Sequence, residues 1–74
     1  MSRLVRMDET GHTTVAHWTA EDPASVEAAV AAFRAELDDG YFAVVSHGEG
    51  RAEQVRELPL DAPLVILRRP IAGG

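Results

Sequence analysis

The spacing of apolar residues changes period along this chain, and each change marks an element. Residues 3–7 (RLVRM) form a short, hydrophobic, β-branched run that predicts a strand. It breaks at Asp8, Glu9, Thr10 and Gly11, a polar tetrad whose glycine can supply the positive φ of a hairpin loop. Residues 13–18 (TTVAHW) then alternate, with Thr14, Ala16 and Trp18 on one side and Thr13, Val15 and His17 on the other. Two such runs around a short glycine turn predict a β-hairpin.

The period then lengthens. Asp22 and Pro23 make a helix start, an aspartate N-cap followed by proline at the first helical position. Val26, Ala29, Val30, Phe33 and Leu37 recur at helical spacing as one apolar stripe, with Glu27, Arg34, Glu36 and Asp38 directed away from it. The alanines between them favour helix and allow close approach to a sheet. Gly40 supplies the C-terminal stop.

Residues 41–46 (YFAVVS) are nearly all apolar and predict an internal third strand, followed by a turn at His47, Gly48, Glu49 and Gly50. Residues 51–58 predict a more polar edge strand with Val55 as its inward anchor. Pro59 and Pro63 bracket an irregular link, residues 64–69 (LVILRR) predict the last strand, and Pro70 ends it. Residues 71–74 (IAGG) have little bulk to pin them. A hairpin, one helix and then two to three strands predict a two-layer α+β domain over residues 1–69 with a flexible tail over 70–74.

Composition narrows the chemistry. With 74 residues there is room for one domain with a thin core. No cysteine is present, so disulfides, cysteine-ligated zinc and thiol catalysis are excluded. That absence fits a reducing cytosol, and no apolar run approaches the ~20 residues of a membrane-spanning helix. The expectation is a cytoplasmic protein without membrane contact. A net charge of −5 argues against general nucleic-acid binding. All seven positive side chains are arginine (Arg3, Arg6, Arg34, Arg51, Arg56, Arg68 and Arg69), so the chain offers no lysine amine for an isopeptide bond.

The most specific stretch is the last. Residues 61–74 (DAPLVILRRPIAGG) join an acidic turn, an alternating strand, a proline, an aliphatic and a small residue to Gly73-Gly74. This resembles the ends of the small β-grasp sulfur carriers, namely the small subunit of molybdopterin synthase and the thiamine sulfur carrier. It is also similar to ubiquitin-like modifiers, with Arg68 and Arg69 loosely in place of the arginines that precede their diglycine. The resemblance implies a β-grasp, ubiquitin-like fold with the first and last strands side by side and parallel. It also implies a partner, an adenylating enzyme with its ATP, that activates the Gly74 carboxylate toward a thiocarboxylate or a conjugate. Gly73 and Gly74 would enter a narrow channel that only side-chain-free backbone can thread. Arg68, Arg69, Pro70 and Ile71 would contact the partner, and the carrier itself would need neither a catalytic residue nor a cofactor. Residues 1–60 carry no signature of these families, and the 51–63 segment is short for the extra helical turn many of their members have there. The Met7-Asp8-x-x-Gly11-His12-Thr13 start and the Gly-Gly end also resemble small uncharacterised actinobacterial and phage proteins, a likeness that brings no function with it.

Other constellations have an ordinary reading beside the chemical one. His12, His17 and His47 lack the spacing and the neighbouring carboxylates of a metal site, so surface histidine is the simpler account. Ser46, His47 and Asp61 hold triad residue types, but a triad is a matter of geometry. Gly48-Glu49-Gly50 lacks the lysine and following helix of a phosphate loop and reads as a turn. Glu36, Asp38 and Asp39 cluster at the helix C-terminus, either as a surface for a basic partner or as a solvated end. Trp18 and Tyr41 fit the edge of the core, and an exposed Trp18 would anchor an interface. Arg68 and Arg69 dock on an acidic groove or solubilise a strand end. Two functional expectations follow. One is a non-enzymatic carrier or modifier acting through its diglycine. The other is a small structural or adaptor protein, phage- or operon-associated, that pairs an exposed strand edge with a protein partner or with itself.

Overall fold

The computed structural model describes residues 1–8, 11–48 and 50–69, without the side chains of His47 and Gly48. Glu9, Thr10, Glu49 and the predicted tail from Pro70 to Gly74 lie outside the described residues. Five strands and one helix follow in the order β1 (Ser2–Asp8), β2 (Gly11–Trp18), α1 (Pro23–Asp38), β3 (Phe42–Gly48), β4 (Arg51–Val55) and β5 (Leu64–Arg68). The strands form one mixed sheet in the order β2-β1-β5-β3-β4. β1 pairs with β5 in parallel at its centre, Arg3 beside Leu64 and Arg6 beside Leu67. The remaining pairs are antiparallel. The domain is α+β, with one helix set against this sheet.

Both helix ends are closed by the residues that predict them. The Asp22 carboxylate accepts from the Ala24 N–H at 3.2 Å and the Ser25 N–H at 3.4 Å, and Pro23 follows it at the first helical position. At the other end the Gly40 N–H donates to Leu37 O and the Tyr41 N–H to Glu36 O, both at 3.1 Å. This six-to-one and five-to-two pattern needs a left-handed residue between helix and strand, and Gly40 supplies it at φ +100°. Ala29 and Phe33 are the helix's buried residues, and they join Leu4, Trp18, Ala43, Val45, Ala62, Val65 and Leu67 in one core. Val26 and Leu37 pack against it as expected.

The hairpin departs from strict alternation. Leu4 pairs with Ala16 but Val5 with Thr14, so Val15 is an extra residue without a cross-strand partner. Such a β-bulge inverts the faces on one side of it. Ala16 and Trp18 share the core side as predicted, whereas Thr14 lies on the opposite side with Val5, and Val15 packs against the core beside Ala16. Trp18 is 1% exposed and donates its indole N–H to Leu60 O at 3.1 Å. It is an interior post under the β4–β5 link, which removes the reading of Trp18 as an exposed anchor.

Element bounds shift modestly. His12 belongs to β2, His47 and Gly48 to β3, and β4 stops at Val55 before a bend. The link closes by a turn in which the Ala62 N–H donates to Pro59 O at 3.0 Å. The Arg3 N–H then donates to Pro63 O at 3.1 Å, leading the chain into the parallel pairing.

Candidate functional site

Strand alternation and register divide the sheet into two faces. Leu4, Val65, Leu67, Ala43 and Val45 point into the core with the helix. The intervening residues make the second face, on which no described element packs. A single transverse row crosses the whole sheet there: Thr14 beside Val5, Val5 beside Ile66, Ile66 beside Val44, and Val44 beside Gln54. One row toward the end of β5, Phe42 lies beside Arg68, and Met7 lies beside His12. One row the other way are Leu64 beside Arg3, Arg3 beside His17, and Ser46 beside Ala52.

The result is an apolar strip of Val5, Val44, Ile66, Leu64, Phe42 and Met7 with polar ends. Val5 is buried, the next four are half-buried, and Met7 is exposed. Arg3, Arg68, His12 and His17 stand exposed around the strip. No described carboxylate alternates onto this face, although the chain has twelve acidic residues. Glu21, Asp22, Glu27, Glu36, Asp38 and Asp39 all lie on or beside the helix. Six of the ten described acidic residues thus lie on or beside the helix, while Arg3 and Arg68 border the apolar strip on the other face.

The two arginines at the end of β5 have separate settings. Arg68 is exposed beside Phe42 on the open face. Arg69 donates from Nη2 to Asp39 O at 3.2 Å and to Asp39 Oδ2 at 3.3 Å. Its guanidinium carbon lies 4.6 Å from the centre of the Tyr41 ring, within cation–π reach. Arg6 approaches the same ring at 5.8 Å and donates from Nη1 to Glu36 Oε1 at 3.0 Å. Glu36, expected off the apolar stripe, is half-buried and engaged by Arg6. Glu36 and Asp39 hold Arg6 and Arg69 where a merely solvated helix end was the ordinary reading. The Arg6 Nε–H is buried and finds no acceptor among the described residues.

Of the sequence-predicted partner contacts, Arg68 joins the open face and Arg69 is drawn to the helix C-terminus, while Pro70, Ile71, Gly73 and Gly74 lie outside the described residues. His12 and His17 are both exposed on β2, and the His47 side chain is not among those described. No group of three or more histidine or acidic residues gathers as metal ligands among the described residues. Ser46 and Asp61 border one shallow hollow of about 240 Å³, together with Val45, Glu53, Val55 and Pro59. No described helix is long and apolar enough to cross a membrane.

No protein-family model matches the chain, and neither a curated protein nor a solved structure matches it.

The apolar face is the feature that sequence reasoning missed. Its signal was present: residues 42–45 and 64–67 are apolar at consecutive positions, so both faces of β3 and β5 are apolar. The one helix among the described residues packs against only one of them.

Proposed function

We propose that this is a small β-grasp protein that works by binding, using its open sheet face to dock a protein partner. The observation that carries this reading is the strip Val5–Ile66–Val44 with Arg3 and Arg68 beside it and no described carboxylate among its residues. A half-buried apolar strip with a charged rim can serve as a protein interface, and the cationic rim suits a partner whose aliphatic surface is bordered by carboxylates. The strand order β2-β1-β5-β3-β4, with β1 and β5 parallel in the middle, supports the β-grasp assignment.

Within that reading, the Gly73-Gly74 end is the group an adenylating enzyme would activate. The Gly74 carboxylate attacks the α-phosphorus of ATP and expels pyrophosphate, giving an acyl-adenylate. Hydrosulfide, or a thiolate of the enzyme, then attacks the carbonyl and AMP leaves, giving a thiocarboxylate or a thioester. Apart from the Gly74 carboxyl group itself, every reacting group in these steps comes from the partner and its substrates, so the carrier needs no catalytic side chain. Arg68, at the end of β5 on the open face, is the arginine available to such an enzyme, whereas Arg69 is engaged at the helix end.

The experiment is incubation of the 74-residue chain with an adenylating enzyme from its own genome, ATP and sulfide, followed by intact-mass analysis. Conversion to acyl-adenylate or thiocarboxylate, lost on deletion of Gly74, supports the carrier chemistry. If the chain binds the enzyme through the open face yet stays unmodified, the docking half survives alone and the adaptor reading takes over. Binding unaffected by Ile66→Asp or Arg68→Glu would remove the open face from the account.

A further inference from the structure

The sheet ends on β2 and β4, and the two edges offer different things to another strand. An edge strand carries a row of N–H and C=O groups without sheet partners, a template that bulges and uneven pairing disrupt. The unpaired Val15 interrupts β2 in this way. In contrast, β4 holds unbroken register with β3 from Ala52 beside Ser46 to Val55 beside Ala43, and the shift between Ser46 and Gly48, where Arg51 pairs, places the extra residue on β3 and not on the edge strand. Its residues Arg51, Ala52, Glu53 and Gln54 are all exposed, and none is proline or glycine.

We propose that β4 is a self-association edge, in which two copies of this chain pair antiparallel about a two-fold axis through Ala52. Charge selects that register. With a two-fold axis normal to the sheet, residues opposite one another share a face, so the axis must pass through a residue facing its own copy. Centred on Ala52, Arg51 lies opposite the partner's Glu53 and Glu53 opposite the partner's Arg51. The two small Ala52 side chains meet between these pairs. Centred on Glu53, two carboxylates stand directly opposite, which is destabilising. Centred on Gln54, Glu53 faces an apolar valine. Only the first choice is complementary at every position from 51 to 53.

One consequence is architectural. The axis sets both helices on the same side and joins the two open faces into one continuous surface. A dimer would therefore present two candidate docking strips in one plane, suited to a repetitive or two-fold partner. This proposal stands apart from the diglycine chemistry, and either can fail without the other.

The seam is short, well below the ~1,200–2,000 Å² of a typical stable interface, so the expected association is weak, with Kd on the order of 0.1–1 mM. Sedimentation equilibrium of the full chain from ~50 µM to ~2 mM brackets that range. The wild type should show a monomer–dimer equilibrium that weakens with added salt. Arg51→Glu alone and Glu53→Arg alone each place like charges across the seam and should weaken association at least ten-fold. The double variant Arg51→Glu/Glu53→Arg restores complementarity and should dimerise like the wild type. Mixing the two single variants should give a heterodimer, because every opposed pair is then of opposite sign. Circular dichroism of each variant confirms that the fold is retained. A wild type that stays monomeric across the range, a dimer indifferent to both single changes, or a double variant that fails to recover overturns the proposal.

Discussion

The two faces of the sheet are built from the same strands, one residue out of step, and they have different surroundings. On β5, Val65 and Leu67 are fully buried against the helix side, while Leu64 and Ile66 are half-buried on the side no described element covers. Both faces are aliphatic, so hydrophobicity alone does not distinguish them. What separates them is the company each keeps. The core face meets Phe33 and Trp18, whereas the open face meets arginine and histidine at its margins. An apolar residue that a protein's own helix covers contributes to folding. Under the docking proposal, one left beside cationic side chains serves contact with a partner.

Neighbouring positions on β5 break this comparison most directly. Leu67→Ala removes a fully buried side chain from a small core and should cost about 2–5 kcal/mol. For 74 residues the whole stability is roughly 4–11 kcal/mol. Urea denaturation should therefore show a large fall in midpoint, with much of the population unfolded in buffer if the domain lies at the weak end. A loss below about 1 kcal/mol would mean that Leu67 is not core in solution. Next in size is Trp18→Phe, which keeps an aromatic ring but deletes the indole donor to Leu60 O. Leaving that carbonyl without its donor should cost about 1–3 kcal/mol. The amide exchange of residues 60–62 should rise more than that of the helix.

How far the two faces were legible in the sequence follows from what each depends on. The helix, its aspartate cap, its proline start and its glycine stop are local chemistry, and all can be read from Asp22, Pro23 and Gly40. The core stripe of Ala29 and Phe33 is likewise a matter of spacing. The bulge is different. Val15 is one extra residue in a run whose alternation looks regular, and only the register of β1 against β2 reveals that Thr14 and Val15 exchange faces. Long-range pairs were also hidden. Arg6 and Glu36 are thirty residues apart, as are Arg69 and Asp39, so neither contact leaves a local pattern. Of the candidate site, Arg68 was legible from its place at the strand end, but the strip it borders requires the strand order, which a single sequence does not specify.

Ile66→Thr sharpens the contrast from the other side. Threonine keeps the β-branched shape that strands favour, and the position is half-buried, so the cost should be about 1 kcal/mol or less. Set against Leu67→Ala one residue later, the stability loss should be at least two-fold smaller. Partner binding should show the reverse order, with Ile66→Thr losing affinity while folded Leu67→Ala molecules retain it. Equal stability losses at the two sites would mean the second face is covered as thoroughly as the first.

The smallest effect concerns the seam between the faces, where Arg69 leaves β5 and reaches the helix end. Its side chain and that of Asp39 are 57% and 69% exposed, so the ion pair itself should contribute little in water. The stack on Tyr41 is less sensitive to salt and should supply most of what remains, about 0.5–1 kcal/mol. Arg69→Ala should therefore lower stability by about that amount. Asp39→Asn should lower it by less, since the Asp39 backbone carbonyl still accepts from Nη2. A double-mutant cycle of Arg69→Ala with Tyr41→Leu, measured at low and high salt, separates the two contributions. A coupling that persists in high salt identifies the ring as what Arg69 holds. Coupling that vanishes with salt would make the contact electrostatic, and Arg69 would then be as free as Arg68 to meet a partner.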